Sequence, residues 1–121
     1  MRILHFEYSD FFRRVVHDMT VREGHDYIQS STGKNLISLL DRNEVDVIFT
    51  GMELSDITAE QLIDALSKSS YSKIPVVIIT SSGVQDITHR LKNLNFFDFI
   101  LKENLNLDIF AKCLRKIKFT L

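Results

Sequence analysis

The chain has 121 residues, 45% of them hydrophobic and 26% charged, which suits one globular domain with a single core and leaves no room for two. With 15 basic and 16 acidic side chains the formal net charge is -1, so nucleic acid or an anionic membrane could be attracted only through a local patch. The lone cysteine, Cys113, excludes an internal disulfide, and no apolar run approaches the roughly 20 residues of a membrane-spanning helix.

Residues 3–6 read as a first strand. Ser9 then caps a helix whose buried stripe is Phe12, Val15, Val16 and Met19, at spacings of three and four. The polar break Glu23-Gly24-His25-Asp26 ends that pattern and leads into 27–30, a weaker strand expected at a sheet edge. Thr32 or Gly33 opens a second helix, with Leu36, Ile37, Leu39 and Leu40 on its buried side, before the charged turn 41–44. A central strand over 45–50 follows. Its Val47, Ile48 and Phe49 suit a strand covered on both faces, and Thr58 with Gln61 supplies a capping box for a third helix over 59–67.

The apolar run 75–79 is the strongest strand signal, with the only proline at its start, where a missing N–H disturbs a sheet least. A polar loop over 80–83 leads to a fourth helix over 84–94 with a thin apolar face of Ile87, Leu91 and Leu94. A fifth strand covers 97–101, and Asn104 is expected to cap a last helix striped by Ile109, Phe110, Cys113, Leu114 and Ile117. Strict alternation with short connections implies right-handed crossovers. The expected architecture is a flavodoxin-like, doubly wound α/β fold: a five-stranded parallel sheet in the order 2-1-3-4-5 with five helices, as one domain over 1–121. In such a sheet functional groups gather beyond the carboxyl ends of the strands, which points to 51–55.

His5, inside the first strand, reads as a hydrogen-bonded core histidine, because no second ligand stands near it in sequence. His17, His25 and His89 show no metal spacing. Cys113 lies on a buried stripe and reads as an inert core thiol. Gly24, Gly33, Gly51 and Gly83 stand too far apart to form a phosphate-binding loop.

In order and spacing the chain resembles the receiver domains of two-component response regulators. The resemblance is carried by the run 75–80, similar to the family's proline-apolar-threonine pattern, and by Asp98, Phe99 and Lys102, similar to its Asp-Tyr-x-x-Lys ending. The family's acidic pair falls on Glu7 and Tyr8, its phospho-accepting aspartate on Gly51, its hydroxyl residue on Thr80, and its lysine on Lys102, here followed by Glu103 where the family has proline. Glycine offers no carboxylate to phosphorylate, and Glu7 with Tyr8 supplies little charge for a metal, even if Glu53 partly compensates.

The resemblance therefore implies a degenerate receiver, not an enzyme, with no cofactor and no resident metal. Its output would be contact with a signalling protein or a covalently linked effector, and this domain would touch neither nucleic acid nor membrane. Lys102 is expected to pair with Glu7 or Glu53, and Tyr8 either fills the vacated pocket or turns to solvent. Phe99 falls at the face of helix four, strand five and helix five, where exposed apolar groups mark a partner surface. The alternatives are a regulatory domain with its effector beyond Leu121, and a small-ligand or metal-binding domain using Glu7, Glu53 and Thr80. No leader is read at Met1, so the cytoplasm is the expected compartment.

Overall fold

The computed structural model describes residues 1–120. Apolar and β-branched runs form β1 (Arg2–Phe6), β2 (Asp26–Ser30), β3 (Val47–Thr50), β4 (Val76–Thr80) and β5 (Asp98–Leu101). Each strand is followed by a helix: α1 (Asp10–Arg22), α2 (Leu36–Arg42), α3 (Ala59–Ser67), α4 (Val84–Arg90) and α5 (Leu107–Thr120). The strands pair in parallel in the order β2-β1-β3-β4-β5, the flavodoxin-like sheet expected from the alternation.

Successive side chains of a strand face opposite sides, and both sides of this sheet are covered. Leu4, Phe6, Ile48 and Ile78 pack against Leu36 and Leu40 of α2, Leu62 and Leu66 of α3, and Ile87 of α4. Ile3, Val47, Phe49, Val77 and Ile79 pack on the other side against Val16 of α1 and Phe110, Leu114 and Ile117 of α5. Double coverage is why β3 and β4 read as unbroken apolar runs.

Local chemistry sets the helix starts. Ser9 Oγ accepts the N–H of Phe12, and Thr58 and Gln61 form the reciprocal capping box, so α1 and α3 begin where expected. Elsewhere the boundaries differ. Asn104 does not cap α5: it ends a single 3-10 turn, Lys102–Asn104, and Asn106 Oδ1 takes the N–H of Ile109 instead. The second helix opens at Leu36 and not at Thr32 or Gly33: it follows a turn in which the Gly33 carbonyl accepts the Leu36 N–H at 3.1 Å, and the N–H groups of Gly33 and Lys34 are held by the Asp56 carboxylate, both at 2.9 Å. The fourth helix stops at Arg90, short of 94; Leu91 and Leu94 nevertheless keep their places in the core from the turn beyond it. β3 begins at Val47 and not at 45, and Thr80 closes β4 where a loop was expected.

Candidate functional site

The parallel register carries the chain ends to one place. Phe6 pairs with Thr50, and the next backbone bond, Gly51 N–H to the Phe6 carbonyl at 2.9 Å, sets Glu7 beside Gly51. Thr80 pairs with Leu101, which brings Lys102 to the same edge. Glu7, Tyr8, Gly51, Glu53, Thr80 and Lys102, separated widely in sequence, line one cavity of about 240 Å³.

The Glu7 side chain is 4% exposed, and its carboxylate lies over Gly51: a Cβ built on that glycine would stand 3.4 Å from Glu7 Oε1. Oε2 accepts the Ser9 N–H at 3.0 Å, and Oε1 lies 3.1 Å from the Lys102 ammonium. Oε1 makes no directional hydrogen bond, so the contact with Lys102 is a close charge pair. The ammonium also sits 4.1 Å above the centre of the Phe12 ring, where the face of the ring attracts a cation. Of the two partners open to Lys102, the structure selects Glu7.

Glu53 is taken elsewhere. Its carboxylate pairs with Arg90 at 2.7 Å, and the same guanidinium makes a two-point contact with Glu60 at 2.8 and 2.9 Å. Burial works to raise the Glu60 pKa, but the hydrogen bond from Arg90 holds it below the usual value. Nothing local in the sequence announces this clamp, since Glu60 and Arg90 meet only across α3 and α4. Tyr8 turns outward with 65% of its surface exposed, so its ring does not fill the pocket. The Thr80 hydroxyl accepts the Ser82 N–H at 3.0 Å and is committed to its own loop.

Behind the pocket, His5 is fully buried. The Tyr27 hydroxyl donates to the Arg13 carbonyl at 2.9 Å, so the 2.8 Å contact between Tyr27 and His5 assigns the histidine proton to Nδ1. Burial first, then the nearby charges of Lys102 and Arg13, lower the His5 pKa from 6.5 to about 3. The expectation of a bonded core histidine fits this arrangement, although its partner on the neighbouring strand is invisible in sequence. Cys113 is buried, and burial pushes its thiol up to about 12, which leaves it unreactive near neutrality.

Phe99 is half-buried against the core and lines a groove of about 350 Å³ between β5 and α5. Leu101, Ile109 and Cys113 contribute to the same lining, while Lys112 and Lys116 are exposed at its edge. A larger cavity of about 620 Å³ lies at the opposite, amino end of the sheet, and its lining includes one charged side chain, Lys73.

A doubly wound parallel sheet with its polar positions gathered at the carboxyl ends defines the class; the sequence family settles which member of it. Residues 3–113 match the family described as response regulator receiver domain, and the chain belongs to that family. It is a domain of two-component signalling and not an enzyme. Among solved structures, it resembles the chemotaxis protein CheY4 of Vibrio cholerae, with 17% identity, a TM-score of 0.85, and coverage of 96% of this chain and 97% of that one. It also resembles a sensor protein from Polaromonas sp. JS666, with 17% identity, a TM-score of 0.88 and coverage of 99% and 98%. A third likeness is the receiver domain of sensor histidine kinase PA1611 from Pseudomonas aeruginosa, with 15% identity, a TM-score of 0.86 and coverage of 95% and 94%. At these identities the likeness is one of fold. No curated protein matches the chain. No helix among the described residues is long and apolar enough to cross a membrane.

Proposed function

We propose that residues 1–121 form a single pseudo-receiver domain, which signals by contact with a partner protein and without aspartyl phosphorylation. The observation that carries this reading is the Glu7 carboxylate lying over Gly51 and paired with Lys102. A receiver's chemistry needs a carboxylate nucleophile at that floor, and glycine has none; Thr50 beside it is buried, with its hydroxyl turned to the Gly51 carbonyl. Glu7, Tyr8, Gly51, Glu53, Thr80 and Lys102 are the positions of the altered site.

The PA1611 receiver structure is described with a magnesium ion coordinated in its active site cleft. The donor set here does not fit such an ion. A hard divalent cation needs several oxygen ligands, yet Glu7 is engaged by Lys102 and Ser9, Glu53 by Arg90, and Tyr8 faces solvent. The groove between β5 and α5 is the face proposed for the partner, with Phe99 as part of its apolar lining, Lys112 at its edge, and Lys116 3.8 Å from the Asp98 carboxylate of the same lining. Lys112 favours a partner that sets an acidic group beside an apolar anchor.

Incubation with acetyl phosphate and magnesium is expected to leave the intact mass unchanged. A stoichiometric adduct labile to hydroxylamine would overturn the pseudo-receiver reading. The Gly51→Asp variant should also remain largely unmodified under the same conditions. Its new carboxylate would share the pocket with the like charge of Glu7, whose Oε1 lies 3.4 Å from a Cβ built at 51, and Tyr8 turns its ring to solvent. Efficient phosphorylation of this variant, again read by intact mass, would show the rest of the site to be competent.

A further inference from the structure

We infer that the Glu7–Lys102 pair is a built-in latch, in which Glu7 serves as the pocket's own resident anion and, through Lys102, fixes the wall of the partner groove. Both members are held from behind. The Arg13 guanidinium donates to the carbonyls of Glu7 and Tyr8, at 2.6 and 3.0 Å, and the Glu7 N–H bonds to the Ser30 carbonyl at 3.0 Å. The Glu7 carboxylate is therefore aimed by a braced loop, and it lies across Gly51, 3.4 Å from where a Cβ would stand. Lys102, for its part, rests on the Phe12 ring.

The link to the groove is covalent and short. Leu101 and Asn104 both line the groove, and Lys102 stands between them as the first residue of the 3-10 turn, whose carbonyl accepts the Leu105 N–H at 3.2 Å. Holding the Lys102 ammonium over the pocket thus sets the course of the backbone that leads from β5 into α5. A side chain with nothing to hold it would leave that turn to its own local backbone bonds. The pair is 4% and 18% exposed, so it is little screened by solvent and remains engaged at ordinary ionic strength.

This inference rests on the reading of the β5–α5 groove as the partner face, but its test does not depend on phosphorylation. Amide hydrogen exchange in the full chain is compared for Glu7→Gln, Lys102→Met and the double variant. Both single changes keep the shape of the side chain and remove its charge. Each is expected to speed exchange at Leu101, Asn104 and Leu105 about tenfold relative to the amides of β3 and β4, with the double variant no faster than either single one. Exchange that changes less than about twofold at the turn, that rises equally in every strand, or that adds in the double variant would overturn the latch. An unmodified wild-type chain with an unmoved turn would sink this inference alone, whereas a phosphorylated wild-type chain would sink the pseudo-receiver reading alone.

Discussion

Replacing Phe110 with alanine is expected to lower the unfolding free energy by about 3–5 kcal/mol, a large share of the roughly 5–15 kcal/mol that holds a domain of this size together. Phe110 is fully buried, and its ring stacks on Phe49 with the centroids 5.4 Å apart. It is the residue through which α5 meets the middle of the sheet. Truncation removes the transfer contribution of the ring and leaves a cavity between a helix and a strand that are each braced by other residues, Ile79 and Val77 on one side and Leu114 and Ile117 on the other. The cavity therefore cannot collapse fully. Urea denaturation of wild type and variant measures the difference, and a loss under about 1 kcal/mol would mean that α5 is anchored chiefly by other contacts.

Acid should destabilise the domain through His5. In the folded chain its pKa lies near 3, against 6.5 for an exposed histidine, because burial and the charges of Lys102 and Arg13 oppose protonation. Between those values the unfolded chain binds a proton that the folded chain refuses. The stability contributed by the neutral ring is present above pH 6.5 and is lost as pH falls towards 3, at about 1.4 kcal/mol per pH unit. Carboxylates add to the acid loss: Asp56 and Glu60 are held below their usual pKa values, in each case against the opposing effect of burial. A His5→Leu variant isolates the histidine. Its stability should gain on wild type by about 2 kcal/mol between pH 6.5 and pH 4.5. Parallel stability curves over that interval would show that His5 protonates without cost.

The sheet order was legible because strength of pattern and depth of burial go together here. Val47–Phe49 and 76–79 are apolar without interruption since both faces are covered, and the capping residues Ser9 and Thr58 mark two helix starts in plain sequence. Boundaries set by distant partners were not legible. The second helix starts only after a turn whose Gly33 and Lys34 N–H groups are held by the distant Asp56, and α5 takes Asn106 over Asn104 as its cap because a 3-10 turn intervenes. The same divide runs through the site. Spacing was enough to bring Glu7, Gly51, Thr80 and Lys102 to one edge, since strand ends converge in any such sheet. It left open which carboxylate Lys102 would choose, and the choice falls to Glu7 because Arg90, on a helix of its own, withdraws Glu53. The His5–Tyr27–Arg13 chain was hidden for the same reason: its members lie on β1, β2 and α1 and share no local signature.

Gly33, whose N–H is held by Asp56, is also closed in from above. A methyl group there would come within 2.6 Å of Ile57 Cδ1, 2.7 Å of Ile57 Cγ1 and 2.9 Å of Leu54 Cδ1. The chain's backbone at this point shows no positive φ, so what restricts the position is volume and not backbone freedom. Two loops that never adjoin in sequence consequently share one allotment of space. Any larger residue at 33 therefore requires the side chains at 57 and 54 to move or to shrink, so what each of the two loops can carry depends on the other.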